Sequence, residues 1–254
     1  MDGSSIHVER SDGVAVVRMA RGKANALDTT LCRDLADCLG EVGKAGDGAV
    51  VLTGQGPIFS AGVDLLRVTD GGPAYLDEFL PALVDAFLAV FSCPLPVVAA
   101  VNGHAIAGGC ILVSACDRRV MNADHGRIGV TEMLVGVPFP VAALEILRFA
   151  VGTHRLREII YFGHTYQAPA AMAVGLIDEA VSAAAVLPRA IEAAATFAAL
   201  PPEPLRHTRR QIRATAVDRI SRDKLTDDAV CRMWKSPGAQ EAIQAYVRSV
   251  LRRA

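Results

Sequence analysis

The chain lacks an excess of charge of either sign. Its 26 Lys and Arg stand against 27 Asp and Glu, a formal net charge of −1, so nothing favours a nucleic acid or an anionic membrane as partner. It also lacks a long apolar run. The longest stretch, Phe87 to Val101, is interrupted by Pro94 and Pro96 and is too short for a bilayer. The opening residues Met1-Asp2-Gly3-Ser4-Ser5 have neither the basic nor the apolar region of a signal peptide, which makes the cytoplasm the expected location. Cysteine pairing is missing too. Cys32, Cys38, Cys93, Cys110, Cys116 and Cys231 form no Cys-x-x-Cys pair and no zinc-spaced cluster with histidine, so reduced structural thiols and no metal are expected. No Gly-x-Gly-x-x-Gly fingerprint follows the first strand, which argues against a dinucleotide. No Gly-x-Ser-x-Gly elbow supports a serine hydrolase built on Ser60 or Ser114.

What is present is enough apolar residue for a large core. Of 254 residues 52% are apolar and 21% charged, the balance of one large globular domain or a domain with an appendage. Val14–Met19, Ala49–Thr53, Pro96–Val101 and Arg118–Met121 read as strands. Between them Leu31–Gly43 carries apolar residues at helical spacing, Tyr75–Phe91 is helical up to Pro94, and a helix opens at Gly108. Strands alternating with helices predict an α/β fold. From Val141 onward the pattern is helical throughout. Pro201-Pro202-Glu203-Pro204 places a soft boundary near residue 200, separating a core of residues 1–200 from a helical region of residues 201–254. That region is too small for a core of its own and is expected to pack on its own core or on a neighbouring subunit.

Two glycine-bearing turns carry the functional signal. They are Phe59-Ser60-Ala61-Gly62-Val63-Asp64-Leu65 and Asn102-Gly103-His104-Ala105-Ile106-Ala107-Gly108-Gly109-Cys110. Each follows a β-rich apolar run and precedes a helix. Two such turns can aim two backbone N–H groups at one point, and two converging donors make an oxyanion hole for a carbonyl that gathers negative charge.

These turns, with Lys23-Ala24-Asn25-Ala26-Leu27, Cys116-Asp117-Arg118, Ile128-Gly129-Val130-Thr131-Glu132 and Ala173-Val174-Gly175-Leu176-Ile177-Asp178, resemble the crotonase (enoyl-CoA hydratase/isomerase) superfamily over nearly the whole chain. The resemblance implies repeated ββα turns wound into a spiral, a C-terminal helical region that helps form trimers or dimers of trimers, and an acyl-CoA thioester as substrate. Coenzyme A is then part of the substrate and no further cofactor is expected. The resemblance places the oxyanion donors at Val63 and Gly108. The helix that Gly108 opens adds a favourable dipole. Asp64 and Asp117 fall at positions that are mostly structural, a helix cap and a turn anchor.

The acid–base groups distinguish the reactions. Hydratases of this superfamily hold and activate a water between two glutamates, the first three residues after the second oxyanion glycine. That position is Ile111 here, which argues against hydration. The second glutamate aligns with Glu132. A single glutamate suits a 3,2-enoyl-CoA isomerisation, in which one base removes a proton beside the thioester carbonyl and returns it two carbons further on. An apolar Ile111 would help to exclude water, and a desolvated Glu132 should have a raised pKa. The Ala107-Gly108-Gly109-Cys110 turn and the Ile128-Gly129…Glu132 segment are similar to mitochondrial-type short-chain isomerases; Thr131 departs from them, standing where they tend to carry an amide. Alternatives are a hydratase-like enzyme and a non-catalytic acyl-CoA carrier. By the same resemblance Lys23 and Ala24 border pantetheine and phosphates, Ala61, Asp64 and Leu65 lie by the adenine, and Pro138 and Phe139 shape the acyl pocket. Glu145 is a conceivable second carboxylate on a helix away from the thioester. The basic run Arg206 to Arg213 is either a solvated helical face or a contact for a 3′-phosphate.

Overall fold

The computed structural model describes residues 5–251. It opens with a hairpin, β1 (Ile6–Ser11) and β2 (Val14–Met19), whose two-residue loop Asp12-Gly13 has positive φ at both positions, the conformation that matches strand twist. Helix α1 (Thr29–Val42) follows. Asp28 caps it by accepting from the Leu31 N–H at 2.8 Å, and Leu31, Leu35, Leu39 and Val42 form its buried stripe.

Three ββα units then repeat, as the resemblance implies. The first is β3 (Ala49–Gly54), β4 (Ile58–Ser60) and α2 (Leu65–Phe91). The second is β5 (Val97–Val101), β6 (His104–Ile106) and α3 (Gly108–Ser114). The third is β7 (Arg118–Asn122), β8 (Ile128–Gly129) and α4 (Glu132–Val135). The first strand of each unit joins one sheet and the second strand joins another. The six-stranded sheet has the order β1-β2-β3-β5-β7-β10 and the four-stranded sheet the order β4-β6-β8-β9. Helices α5 (Val141–Val151) and α6 (Thr153–Tyr161), strand β9 (Thr165–Tyr166), helix α7 (Ala168–Ala173), strand β10 (Glu179–Val181) and helix α8 (Val186–Ala198) complete this part. Helices α9 (Pro202–Arg222), α10 (Lys224–Trp234) and α11 (Pro237–Tyr246) end the chain, with a π-helical turn over Val247–Leu251.

From β2 to β7 the larger sheet is parallel and covered on both faces, which is why its central strands read as unbroken apolar runs. Along β3 the side chains alternate: Val50 and Leu52 enter the main core with Phe59, Phe79, Phe87 and Phe91, while Ala49 and Val51 face Ala190, Ala193 and Ala194 of α8. Helix α2 is longer than its apolar pattern suggests. It starts at Leu65 and breaks at Gly72 (φ 57°), where Pro73 cannot continue the ladder.

The C-terminal helices pack on the chain's own core. Asp117, just before β7, accepts from the Val97 N–H at 2.8 Å and from both Arg209 (2.9 and 2.7 Å) and Arg213 (2.9 Å) of α9. The two guanidiniums also reach the carbonyls of Cys93, Phe91 and Ala115. Part of the basic run is therefore turned inward, while Arg206 and Arg210 stay exposed. All six cysteines are free thiols. Among the described residues no single helix is long and apolar enough to cross a membrane.

Candidate active site

Three short strands of the smaller sheet carry the site. β4, β6 and β8 run parallel and adjacent, and each releases one functional group two or three residues beyond its C-terminal end: Val63 after β4, Gly108 after β6, Glu132 after β8. Neighbouring strands lie about 4.8 Å apart, so three groups leaving the same edge converge.

The first turn is tied to the Ala24–Leu27 segment. Ala61 N–H donates to the Ala24 carbonyl (3.0 Å), Leu27 N–H to the Gly62 carbonyl (2.8 Å) and Asp64 N–H to the Leu27 carbonyl (3.0 Å). In this parallel bridge between Leu27 and Val63, the N–H of Val63 itself points away from Leu27. It has no acceptor among the described residues. Gly62 sits at φ 83°, and a Cβ there would stand 2.6 Å from the Ile106 carbonyl oxygen and 2.8 Å from the Ala107 Cβ, so the two turns touch and only glycine fits.

In the second turn Ala107 is held at φ 51°, a region that costs a non-glycine residue about 1–2 kcal/mol. Its N–H donates to the Gly129 carbonyl at 2.8 Å, which locks the turn to β8. Gly108 is the first residue of α3, so its N–H has no intrahelical acceptor. With seven residues, α3 contributes local N–H groups more than a long dipole.

Glu132 opens α4. The residue is half-buried, but its Oε2 is fully buried and has no hydrogen-bond partner among the described residues. Burial pushes its carboxyl up to about 7; hydrogen bonds from its own and the Thr131 N–H groups offset this only in part. A cavity of about 400 Å³ takes in Val63 and Glu132 and is lined mostly by apolar residues, Ala26, Ile106, Val135 and Val137 among them. Its other carboxylate, Asp64, caps α2 through the Arg67 N–H (3.1 Å) and pairs with the Arg67 guanidinium at 3.7 Å. A desolvated carboxylate in one cleft with the Val63 N–H, and with the Gly108 N–H next to the lining residue Ala107, is equipment for proton abstraction next to a polarised carbonyl.

A sequence profile described as enoyl-CoA hydratase/isomerase matches residues 9–250. The chain belongs to the enoyl-CoA hydratase/isomerase family. The probable enoyl-CoA hydratase echA17 of Mycobacterium avium is 35% identical over 176 residues, 68% of this chain and 67% of that protein. Human mitochondrial enoyl-CoA delta isomerase 1 is 26% identical over 245 residues, 95% of this chain and 80% of that protein. The crystal structure of human mitochondrial delta3-delta2-enoyl-CoA isomerase superposes with a TM-score of 0.93 at 24% identity, covering 98% of this chain and 99% of the other, and shows the shared fold. The family acts on acyl-CoA thioesters.

Of the family positions read from the sequence, Ala24, Ala61, Val63, Asp64, Leu65 and Glu132 line the cleft together. Gly108 is buried and follows the lining residue Ala107 in sequence, but is not itself part of the lining. Lys23 is exposed next to Ala24 and is not part of the lining. Ile111 lies one turn deeper in α3, in the main core. Pro138 and Phe139 stand outside the lining; the Pro138 carbonyl accepts from the indole N–H of Trp234 at 2.9 Å, and Phe139 is buried. Glu145 is spoken for by Arg148 (3.0 Å) and Arg219 (3.3 Å). Ser60 Oγ donates to the Asn25 carbonyl (2.8 Å) and accepts from the Gly62 N–H (3.2 Å), the role of a turn brace and not of a nucleophile.

Sequence reasoning missed Trp234, Tyr246 and Val250, which also line the cleft. They arrive from α10 and the end of the chain, and no local motif announces where those helices dock. Among the described residues no group of three or more His, Cys, Asp or Glu side chains is placed to hold a metal ion.

Proposed function

We propose that this family member is a 3,2-enoyl-CoA isomerase in which Glu132 is the sole acid–base group. The carboxylate removes a proton from C2 of a 3-enoyl thioester. The electron pair moves onto the thioester oxygen, giving a dienolate whose oxygen accepts hydrogen bonds from the Val63 and Gly108 N–H groups. The protonated Glu132 then delivers its proton to C4, the double bond comes to rest between C2 and C3, and the base is regenerated. No water is consumed and no second carboxylate is needed.

The observation that carries this reading is the unpartnered, buried Oε2 of Glu132 in a cleft whose other carboxylate is engaged with Arg67. Ile111, where the hydratases of the superfamily carry their first glutamate, is a buried core residue and offers no carboxylate. A carboxyl poised near 7 can serve as base and as acid in one turnover.

The test is a pair of assays on the parent and on Glu132→Gln, one with a 3-enoyl-CoA and one with crotonyl-CoA. Turnover of the first, little hydration of the second and loss of turnover in the variant support the isomerase. Rapid hydration of crotonyl-CoA that disappears in the variant makes the protein a hydratase. Tight binding of acyl-CoA with no turnover of either makes it a carrier. By the family resemblance we propose a homotrimer or dimer of trimers working in the cytoplasm, with sedimentation velocity and cell fractionation as the respective checks.

A further inference from the structure

We propose that Trp234 is the end wall of the acyl pocket and sets the longest acyl chain this protein accommodates. The inference rests on the reading of the cleft as the acyl-CoA site and does not require the isomerase step.

A gradient of burial gives the cleft a direction. Leu66 and Val250 are 52% and 46% exposed and mark its mouth. Val135, Val137 and Trp234 line it too and are only 5%, 2% and 2% exposed, so the protein interior closes this side of it. Glu132 and Val135 are three residues apart on α4 and share a face, so a chain that leaves the thioester past Glu132 next meets Val135. Val137 and the indole of Trp234 belong to the same buried part of the lining. These three residues offer the acyl tail apolar surface, because the one polar atom of the indole is already committed, donating to the Pro138 carbonyl at 2.9 Å.

The wall is also held in place. Gln240 Nε2 donates to the Trp234 carbonyl at 2.8 Å. Lys235, the next residue, forms an ion pair with Asp77 on α2, and Asp227 at the other end of α10 accepts from the Val141 N–H at 2.9 Å. A ring pinned through its own nitrogen and through both ends of its helix cannot swing aside for a longer tail. It therefore acts as a stop, not as a flexible lining.

Calorimetry with saturated acyl-CoAs, from acetyl through butyryl, hexanoyl, octanoyl, decanoyl and dodecanoyl to palmitoyl, separates the wall from the chemistry. In the parent, affinity should climb about fourfold with each added methylene and then stop climbing at one length. In Trp234→Leu the climb should continue for at least two further carbons. A break at the same length in both proteins overturns the proposal. Trp234 is the only tryptophan of the chain, so the parent supplies a second readout that needs no folded variant. Free CoA and acetyl-CoA should leave its emission unchanged, and the longest chain that still gains affinity should shift it. Emission indifferent to the tightest-binding acyl-CoA overturns the assignment. If the break moves in Trp234→Leu while no 3-enoyl-CoA is turned over by the parent, the wall stands and the isomerase reading falls.

Discussion

Replacing Glu132 by Gln should abolish turnover and at the same time stabilise the fold, and both effects follow from one buried atom. Burial of the carboxyl, whose Oε2 has no hydrogen-bond partner among the described residues, pushes Glu132 up to about 7 from an ordinary 4.5. In the proposed isomerisation the carboxyl is a base only when ionised. With a pKa of about 7, about a tenth of the molecules carry the carboxylate at pH 6 and about nine-tenths at pH 8, so kcat/KM for a 3-enoyl-CoA should rise about tenfold across that interval. The unfolded chain holds this proton less tightly than the folded one. Stability therefore falls as the pH rises from 4.5 through 7, and the cost is complete above 7. A difference of about 2.5 units at 1.36 kcal/mol each sets that cost at roughly 3 kcal/mol. Gln keeps the shape and removes the charge. The variant should lose activity by a factor of at least about 10²–10⁴ and gain up to about 3 kcal/mol in urea unfolding at pH 8, but much less at pH 5. The absorbance of the conjugated 2-enoyl thioester reports turnover. A profile flat between pH 6 and 8, or a Gln variant as active as the parent, would refute the reasoning.

Asp117→Asn should destabilise the chain by about 3–5 kcal/mol in denaturant unfolding, because it leaves the buried Arg209 and Arg213 guanidiniums without their shared carboxylate. Gly109→Ala should lower kcat about 10²-fold while circular dichroism stays that of the parent: its Cβ would stand 2.5 Å from the Ser60 carbonyl oxygen, so α3 must shift and the Gly108 donor shifts with it. Thiol titration with a disulfide reagent should modify Cys38 and Cys231 first, since both are half-buried, and reach Cys32, Cys93, Cys110 and Cys116 only on unfolding; burial raises all six thiols, pushing Cys110 up to about 12.

The larger sheet was legible because strands covered on both faces must be apolar throughout; Ala49–Thr53 and Pro96–Val101 declare themselves in the sequence for that reason. The smaller sheet was not legible. β4, β6, β8 and β9 have two or three residues each, shorter than any periodicity can register, and they form by pairing with one another across units distant in sequence. β1 escaped notice because most of Ile6–Ser11 is exposed at the sheet edge. The start of α2 was hidden by Gly71-Gly72-Pro73, which reads as a breaker but only kinks the helix. In the cleft, the parts supplied by backbone and by short local motifs could be read: Val63, Ala61 and Leu65 in one turn, Glu132 after β8. Trp234 could not, since its place depends on α10 docking across 96 residues of separation onto the Pro138 carbonyl.

The same contrast explains why the site is precise although its strands are so short. The three functional groups belong to three units distant in sequence, yet each pair of turns is fastened by backbone. The Gly62 turn abuts Ile106 and Ala107 at van der Waals limits, and Ala107 in turn donates to Gly129, three residues before Glu132. Ala107 is kept in its strained conformation by these neighbours on both sides. Side chains can vary around such a frame, as Val63 and Ile111 do, without moving the donors. What decides the reaction is then the few carboxylates that project into the frame, and here one buried carboxylate oxygen is left without a partner.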